Sequence, residues 1–312
     1  DADYLQRQLL DHALTVATVE YFSDPPDKPN VSERSEHDHL TARIARIVTD
    51  AEHEIVLQTP YLVLSRPARR AFQTLRREHP ELRVVVSTNS LAATDAFPVY
   101  AISHKRRRLY LETLGFEIHE FKPYPGRSEA AIEAKKPPGM VRSALKIRTR
   151  KALPLRRDSV RRGLHAKSIV IDDRISLIGS HNFDPRSEGP NSENGVIVRD
   201  AGFAAELKRA ISGDIGPDQS WVVAKKPDRG LLTPINQAIE SVSEKLPVFD
   251  LWPWRYATSY ELRPECAPLP PSDPDFLTCY VRVGDFPEVD LAAKGIYTRI
   301  MTAFGVGLSP IL

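Results

Sequence analysis

The sequence predicts an α/β domain over residues 1–213, a β-sheet of mixed strand direction flanked by helices, with a Pro-rich C-terminal extension over 214–312. Two observations carry this. Short apolar runs of strand length alternate with stretches of helical periodicity through most of the first 213 residues, as layered α/β domains require. Beyond Gly213 that rhythm stops and prolines accumulate, as in Trp252-Pro-Trp254 and Cys266-Ala-Pro-Leu-Pro-Pro271.

The elements follow in order. Leu40 to Ala51 is an amphipathic helix, and Glu54-Ile-Val-Leu-Gln58 a buried strand. A helix over Pro67 to Glu78 has Ser65 as its cap, with proline tolerated in the first turn. Leu82 to Ser87 is a strand; Pro98 to Leu114 is a helix closed by Gly115. Phe116 to Phe121 alternates apolar and polar, as a half-exposed strand does. Ser168 to Asp172 and Ile175 to Ile178 form a hairpin turning at Asp173-Arg174; a strand at Val196 to Val198 and a helix from Ala201 to Ile211 complete the domain. Residues 122–163 interrupt it as a long, basic, proline-containing insertion, a length that marks a functional loop or a disordered one.

The bulk properties narrow the partners. The 312 residues are 41% hydrophobic and 27% charged, ordinary for a globular chain, with a net charge of +2. The positive charge is concentrated: Lys135 to Lys167 holds twelve Lys or Arg against one acid, Asp158. Such a block points to phosphate-bearing partners, an anionic membrane surface or nucleic acid. It has no interleaved aromatics to stack bases, which argues against nucleic acid. Phe249, Trp252, Trp254 and Tyr256 suit either a membrane interface or packing on the core. The sequence has no apolar run of spanning length, and its start at Asp1 suggests a fragment or a processed product. Cys266 and Cys279 form one loop-closing bridge in an oxidising compartment or two reduced thiols elsewhere; no histidine pair near them has zinc-ligand spacing.

One segment carries chemistry. His165, Lys167, Asp172, Gly179, Ser180 and Asn182 stand in register over eighteen residues. Residues two apart on an extended segment share a face, so His165 and Lys167 are expected together, and the hairpin returns Ser180 and Asn182 beside them. A nucleophile or acid, a cation and two neutral hydrogen-bonding groups suit a phosphodiester. The cation and the amide would stabilise charge growing on its non-bridging oxygens. No carboxylate cluster accompanies them, so neither metal nor other cofactor is expected.

This pattern resembles the HKD motif of the phospholipase D superfamily. The continuation Asn182-Phe-Asp-Pro-Arg-Ser187, the segment Thr88-Asn-Ser-Leu-Ala-Ala-Thr-Asp95 and Thr59-Pro60-Tyr61 are similar to the bacterial cardiolipin synthase branch. The resemblance implies phosphatidyl transfer through a phosphohistidine, with cardiolipin synthesis, phospholipid hydrolysis and a dimeric metal-independent nuclease as the candidate activities. It implies His165, Lys167, Asp172, Ser180, Asn182 and Glu193 as catalytic positions, Glu193 holding an imidazole and Asp172 more structural than chemical. It further implies Tyr61, Asn89 and Arg186 as substrate contacts, a phospholipid substrate, and a peripheral place on a bacterial inner membrane.

A site of this family needs two such motifs, and none of the other eight histidines is followed by Lys at the second position. The second half-site is therefore expected from sequence upstream or from a homodimer partner. His104-Lys105 are adjacent and read as part of a basic helix face with Arg106, Arg107 and Arg108.

Overall fold

A computed structural model of the chain describes residues 2–11, 13–16, 18–25, 28, 40–124, 155–156, 160–227, 256–290 and 296. Most of the basic insertion, Phe249, Trp252, Trp254 and residues 297–312 lie outside the described residues. The chain divides into two units, one of residues 1–59, 64–86 and 166–213, the other of 60–63, 87–165 and 214–312. The second unit thus joins part of the α/β alternation to the C-terminal hundred residues.

In the first unit, a short N-terminal helix α1 (Ala2–Leu5) is followed by β1 (Val19–Ser23), α2 (Leu40–Thr49), β2 (Glu54–Gln58), α3 (Arg66–Glu78) and the start of β3 (Arg83–Asn89). After residue 165 come β5 (Ser168–Ile171), β6 (Ile175–Gly179), α5 (Pro185–Glu188), β7 (Asn194–Arg199) and α6 (Ala201–Ile215). The strand order is β1-β7-β6-β5-β2-β3. The pairs β1/β7, β7/β6, β6/β5 and β5/β2 are antiparallel. β2 and β3 are joined through α3, the crossover that parallel neighbours need, so the sheet is mixed.

The register lines one face with a single apolar row. Leu57 pairs with Ile169, Ile169 with Leu177, and Leu177 with Ile197, and all four side chains are buried. Each such side chain contributes about 1.5–3 kcal/mol on leaving water. α2 adds Leu40, Ile44, Ile47 and Val48 to the buried set, and α3 adds Phe72 and Leu75. Ser65 caps α3 by accepting from the Ala68 N–H, with Pro67 in the first turn, as its sequence predicts.

In the second unit, α4 (Phe97–Lys105) and a π-helical turn (Leu109–Thr113) replace the single helix read over 98–114. Gly115, at φ 68, follows them where only a glycine turns freely. β4 (Phe116–Phe121), β8 (Ser220–Lys225), β9 (Ala257–Leu262) and β10 (Tyr280–Gly284) then form an antiparallel order β4-β8-β9-β10, with α7 (Phe276–Cys279) just before β10. Val222, Ala224, Tyr260, Phe276 and Tyr280 form its core, and Cys266 and Cys279 are bridged beside it.

The basic face proposed around His104 is corrected by packing. His104 is buried between Tyr100 and Phe286, with ring centroids at 5.9 and 4.9 Å. Arg107 is buried too, paired with Glu120 and donating to the Tyr100 hydroxyl at 2.8 Å. Arg108 pairs with Glu112, and its guanidinium lies 5.9 Å from the Tyr256 ring.

Candidate functional site

The hairpin that carries the motif is fixed at both ends. Ile171 pairs with Ile175, leaving Asp172, Asp173 and Arg174 as a three-residue loop that starts one residue earlier than the sequence suggests. Asp172 and Asp173 adopt φ of 49 and 53, left-handed values that aspartate tolerates better than most residues. The Asp172 carboxylate accepts from the backbone N–H groups of Glu52, His53 and Glu54 at 2.8 to 2.9 Å, tying the loop to the chain entering β2. Burial acts to raise its pKa, but the three hydrogen bonds outweigh burial and hold it below the ordinary carboxylate value.

At the other end sits Gly179, where a Cβ would fall 2.3 Å from the Asn194 carbonyl oxygen and 2.8 Å from Gly195 Cα. Only glycine lets β6 approach β7 this closely. Between the two ends run four ladder pairs, so Asp172 lies roughly 17 Å along the strands from Lys167 and roughly 20 Å from the level of Ser180.

Past Gly179 the polar residues converge. Ser180 N–H donates to the Asn194 carbonyl at 2.9 Å, and Ser180 Oγ donates to Glu193 Oε2 while accepting from Asn194 N–H at 3.0 Å. Glu193 is buried, at 5% exposure. The Asn182 backbone is held from both sides: its N–H donates to Ser187 Oγ at 3.0 Å, and its carbonyl accepts from Thr59 Oγ1 at 2.7 Å. Asn182 Oδ1 is buried without a hydrogen-bond partner among the described residues. Asp184 caps α5 by accepting from Ser187 N–H at 2.9 Å, and Arg186 is exposed on that short helix.

His181, inside the motif, is structural. Its Nδ1 accepts from Phe183 N–H at 2.9 Å, which puts the proton on Nε2, donating to Thr41 Oγ1 at 3.2 Å. Burial lowers its pKa to about 4 against the opposing charge of Glu193, so it is neutral at physiological pH. The contact supports Phe183, whose φ of 58 is strained for an aromatic residue.

His165 and Lys167 lie on irregular chain just before β5 and not in a strand, so the two-residue alternation of a sheet does not govern them. Lys167, in the first unit, is half-buried, and its carbonyl accepts from Gly179 N–H at 3.1 Å.

In the second unit, His165 is exposed and the Tyr61 ring meets it edge-on, centroids 6.5 Å apart. The Tyr61 hydroxyl donates to Asp95 Oδ1 at 2.7 Å. Asn89 clamps the residue before His165. Its Oδ1 accepts from Leu164 N–H and its Nδ2 donates to the Leu164 carbonyl, both at 2.8 Å, with a further bond to the Pro60 carbonyl at 3.3 Å. The sequence reading places Asn89 among the substrate contacts; here its side chain is 4% exposed and serves backbone groups. Gly163 completes the clamp, since a Cβ there would stand 2.7 Å from the Ala93 carbonyl oxygen.

The first unit thus gathers Ser180, Asn182 and Glu193, and the second gathers Tyr61, Asn89 and His165. Asp24, which bonds the Glu193 backbone, and Lys28, which pairs with Asp24, were not read from the sequence. The one local cue is a turn-forming run from Asp24 to Lys28. Among the described residues, no group of three or more His, Cys, Asp or Glu could hold a metal ion, and no helix is long and apolar enough to cross a membrane.

Hairpin, motif and mixed sheet define a phospholipase D-like domain. Residues 44–215 match the family described as "Cardiolipin synthase, PLD-like domain", and the chain belongs to that family. It is 29% identical over 206 residues to cardiolipin synthase C of Escherichia coli, covering 66% of this chain and 38% of that protein. It is 25% identical over 195 residues to an uncharacterized protein of Helicobacter pylori, covering 62% of this chain and 33% of that one. The chain thus spans little more than a third of the length of these curated relatives. A phospholipase D family member from Salmonella typhimurium, solved as a crystal structure, aligns at 13% identity and a TM-score of 0.39, covering 65% of this chain and 95% of that one.

Proposed function

We propose that this chain supplies one half of a phosphatidyl-transfer site that makes cardiolipin from phospholipids through a phosphohistidine intermediate. The observation that carries the proposal is the intact motif in a chain of this family, with His165 exposed beside a clamped backbone. In this reading one imidazole attacks phosphorus, forming a P–N bond as the alcohol of the first lipid leaves with a proton from the other imidazole. That second imidazole then takes the proton from the acceptor hydroxyl, which displaces the histidine and restores both rings. His165 is one of the two. The other comes from a second copy of the motif, elsewhere in the same protein or in a second copy of the chain. Lys167 and Asn182 hold the non-bridging oxygens. Glu193, with Ser180 on Oε2, orients an imidazole and fixes its tautomer.

Among the expected substrate contacts, we assign Tyr61 and Arg186 to the lipid phosphate or headgroup and Asn89 to holding Leu164 in place. The protein acts peripherally on an anionic bacterial membrane, where each basic residue near the surface is worth about 1 kcal/mol. The Cys266–Cys279 bridge favours the outward, oxidising side. The test uses the full-length protein on phosphatidylglycerol vesicles, with lipid products read by mass spectrometry. Wild type is expected to form cardiolipin, and His165→Ala to form none while melting normally. Phosphatidic acid in place of cardiolipin identifies water as the acceptor; turnover undiminished in His165→Ala refutes the assignment.

A further inference from the structure

We propose that Asp24 and Lys28 form a buried positioning pair that sets the backbone of Glu193 and of Asn182, and through them the rate of phosphoryl transfer. This rests on the reading of Glu193 and Asn182 given above. All of these residues belong to the first unit.

The Asp24 side chain is fully buried and that of Lys28 is 7% exposed. A carboxylate so placed must be fully bonded, because an unpaired buried charge is costly. Its Oδ1 accepts from Leu40 N–H at 3.0 Å, the first residue of α2. A helix cap needs no more than that. Oδ2 makes two further bonds, to Lys28 Nζ at 2.6 Å and to Glu193 N–H at 3.0 Å. The Asp24 N–H in turn donates to the Glu193 carbonyl at 2.7 Å. Residue 193 is therefore gripped at both its backbone N–H and its C=O by a residue 169 positions away.

Lys28 extends the grip. Its ammonium donates a second bond to the Ser187 carbonyl at 2.9 Å, and Ser187 Oγ accepts from Asn182 N–H at 3.0 Å. One ion pair thus reaches Glu193 and, through Ser187, Asn182 without exposing either of its own charges. Burial opposes ionisation of Asp24, but the Lys28 ammonium and the two backbone N–H groups outweigh it and hold its pKa below the usual value. A fixed, internally neutralised pair can place a neighbouring carboxylate without adding net charge beside a phosphodiester. Displacements of an ångström at such residues cost about 100-fold in rate.

The test is a double-mutant cycle in the full-length protein, with bis(p-nitrophenyl) phosphate as substrate and thermal melts as the folding control. Asp24→Asn is expected to lower kcat roughly 10- to 100-fold with KM nearly unchanged. In a Glu193→Gln background the same substitution is expected to cost less than about threefold, because the partner it positions is already disabled. A helix cap alone would cost the same factor in both backgrounds, and that result overturns the inference. So does full activity in Asp24→Asn when Glu193→Gln is impaired. Full activity in Glu193→Gln refutes the role given to Glu193 itself, and the inference falls with it. If Asp24→Asn does not fold, Lys28→Met, which leaves the bond to Leu40 in place, is put through the same cycle with the same outcomes.

Discussion

Asn89→Ala separates a backbone clamp from a substrate contact, because the two roles predict opposite signatures. The substitution leaves three buried backbone groups without their side-chain partner: the Leu164 N–H, the Leu164 carbonyl and the Pro60 carbonyl. An unsatisfied buried group costs about 1–3 kcal/mol. The N–H has no second option, whereas the 3.3 Å bond to Pro60 is the weakest of the three, so the total falls at about 3–5 kcal/mol. A domain of this size loses about 2–4 °C of Tm per kcal/mol, giving a drop on the order of 10 °C. Leu164 directly precedes His165, so the loosened segment is also expected to lower kcat at nearly constant KM. Scanning calorimetry and steady-state kinetics on phosphatidylglycerol vesicles read the two quantities. A Tm within about 1 °C of wild type combined with a raised KM would refute the clamp and restore Asn89 as a substrate contact.

Two other consequences are open to measurement. His181 has a folded pKa of about 4 against an ordinary 6.5, so as pH falls the unfolded chain takes up the proton first; stability is full above about pH 6.5 and declines toward pH 4, by roughly 3 kcal/mol over the window. Urea unfolding at several pH values should show His181→Gln with a flatter dependence there than wild type, and identical slopes would contradict a neutral buried imidazole. The Cys266–Cys279 bridge closes a loop of 13-residue separation, worth about 3 kcal/mol in the chain-entropy model. Alkylation of the native protein should add no mass before reduction, and Cys266→Ser with Cys279→Ser should lower Tm. Two freely alkylated thiols in protein taken directly from cells would exclude the bridge and the oxidising compartment with it.

What was legible in the sequence was what short-range physics decides. Strands β2, β4, β5 and β6 and helix α3 emerge within a residue or two of where periodicity and capping place them. Strands β8, β9 and β10 were missed. β8 pairs with β4 a hundred residues earlier, and the prolines between its C-terminal neighbours mask the pattern. The motif was legible because its fixed positions fall within one hairpin. The expectation that His165 and Lys167 share a face of the sheet carried its alternation up to three residues past the strand, since the ladder begins only at Ser168. Asp24 had only the cue of its turn-forming run: a single acid there becomes informative only once β1 is placed beside β7.

The positions of the motif divide by what they hold. Asp172 fixes the loop end of the hairpin to the chain entering β2, and Gly179 fixes the open end against β7. Neither touches a reacting atom in the proposed mechanism. Their work is to deliver the next residues, Ser180 and Asn182, at a set height beside the segment that carries Lys167. In the proposed mechanism a scaffold of that kind is indifferent to what is attached to the phosphorus, because the groups it presents serve the phosphate alone. The choice between a lipid acceptor and water must then rest on residues outside the hairpin. Tyr61 is the described candidate, edge-on to His165 and anchored to Asp95, both on loops that the strands position without constraining their chemistry.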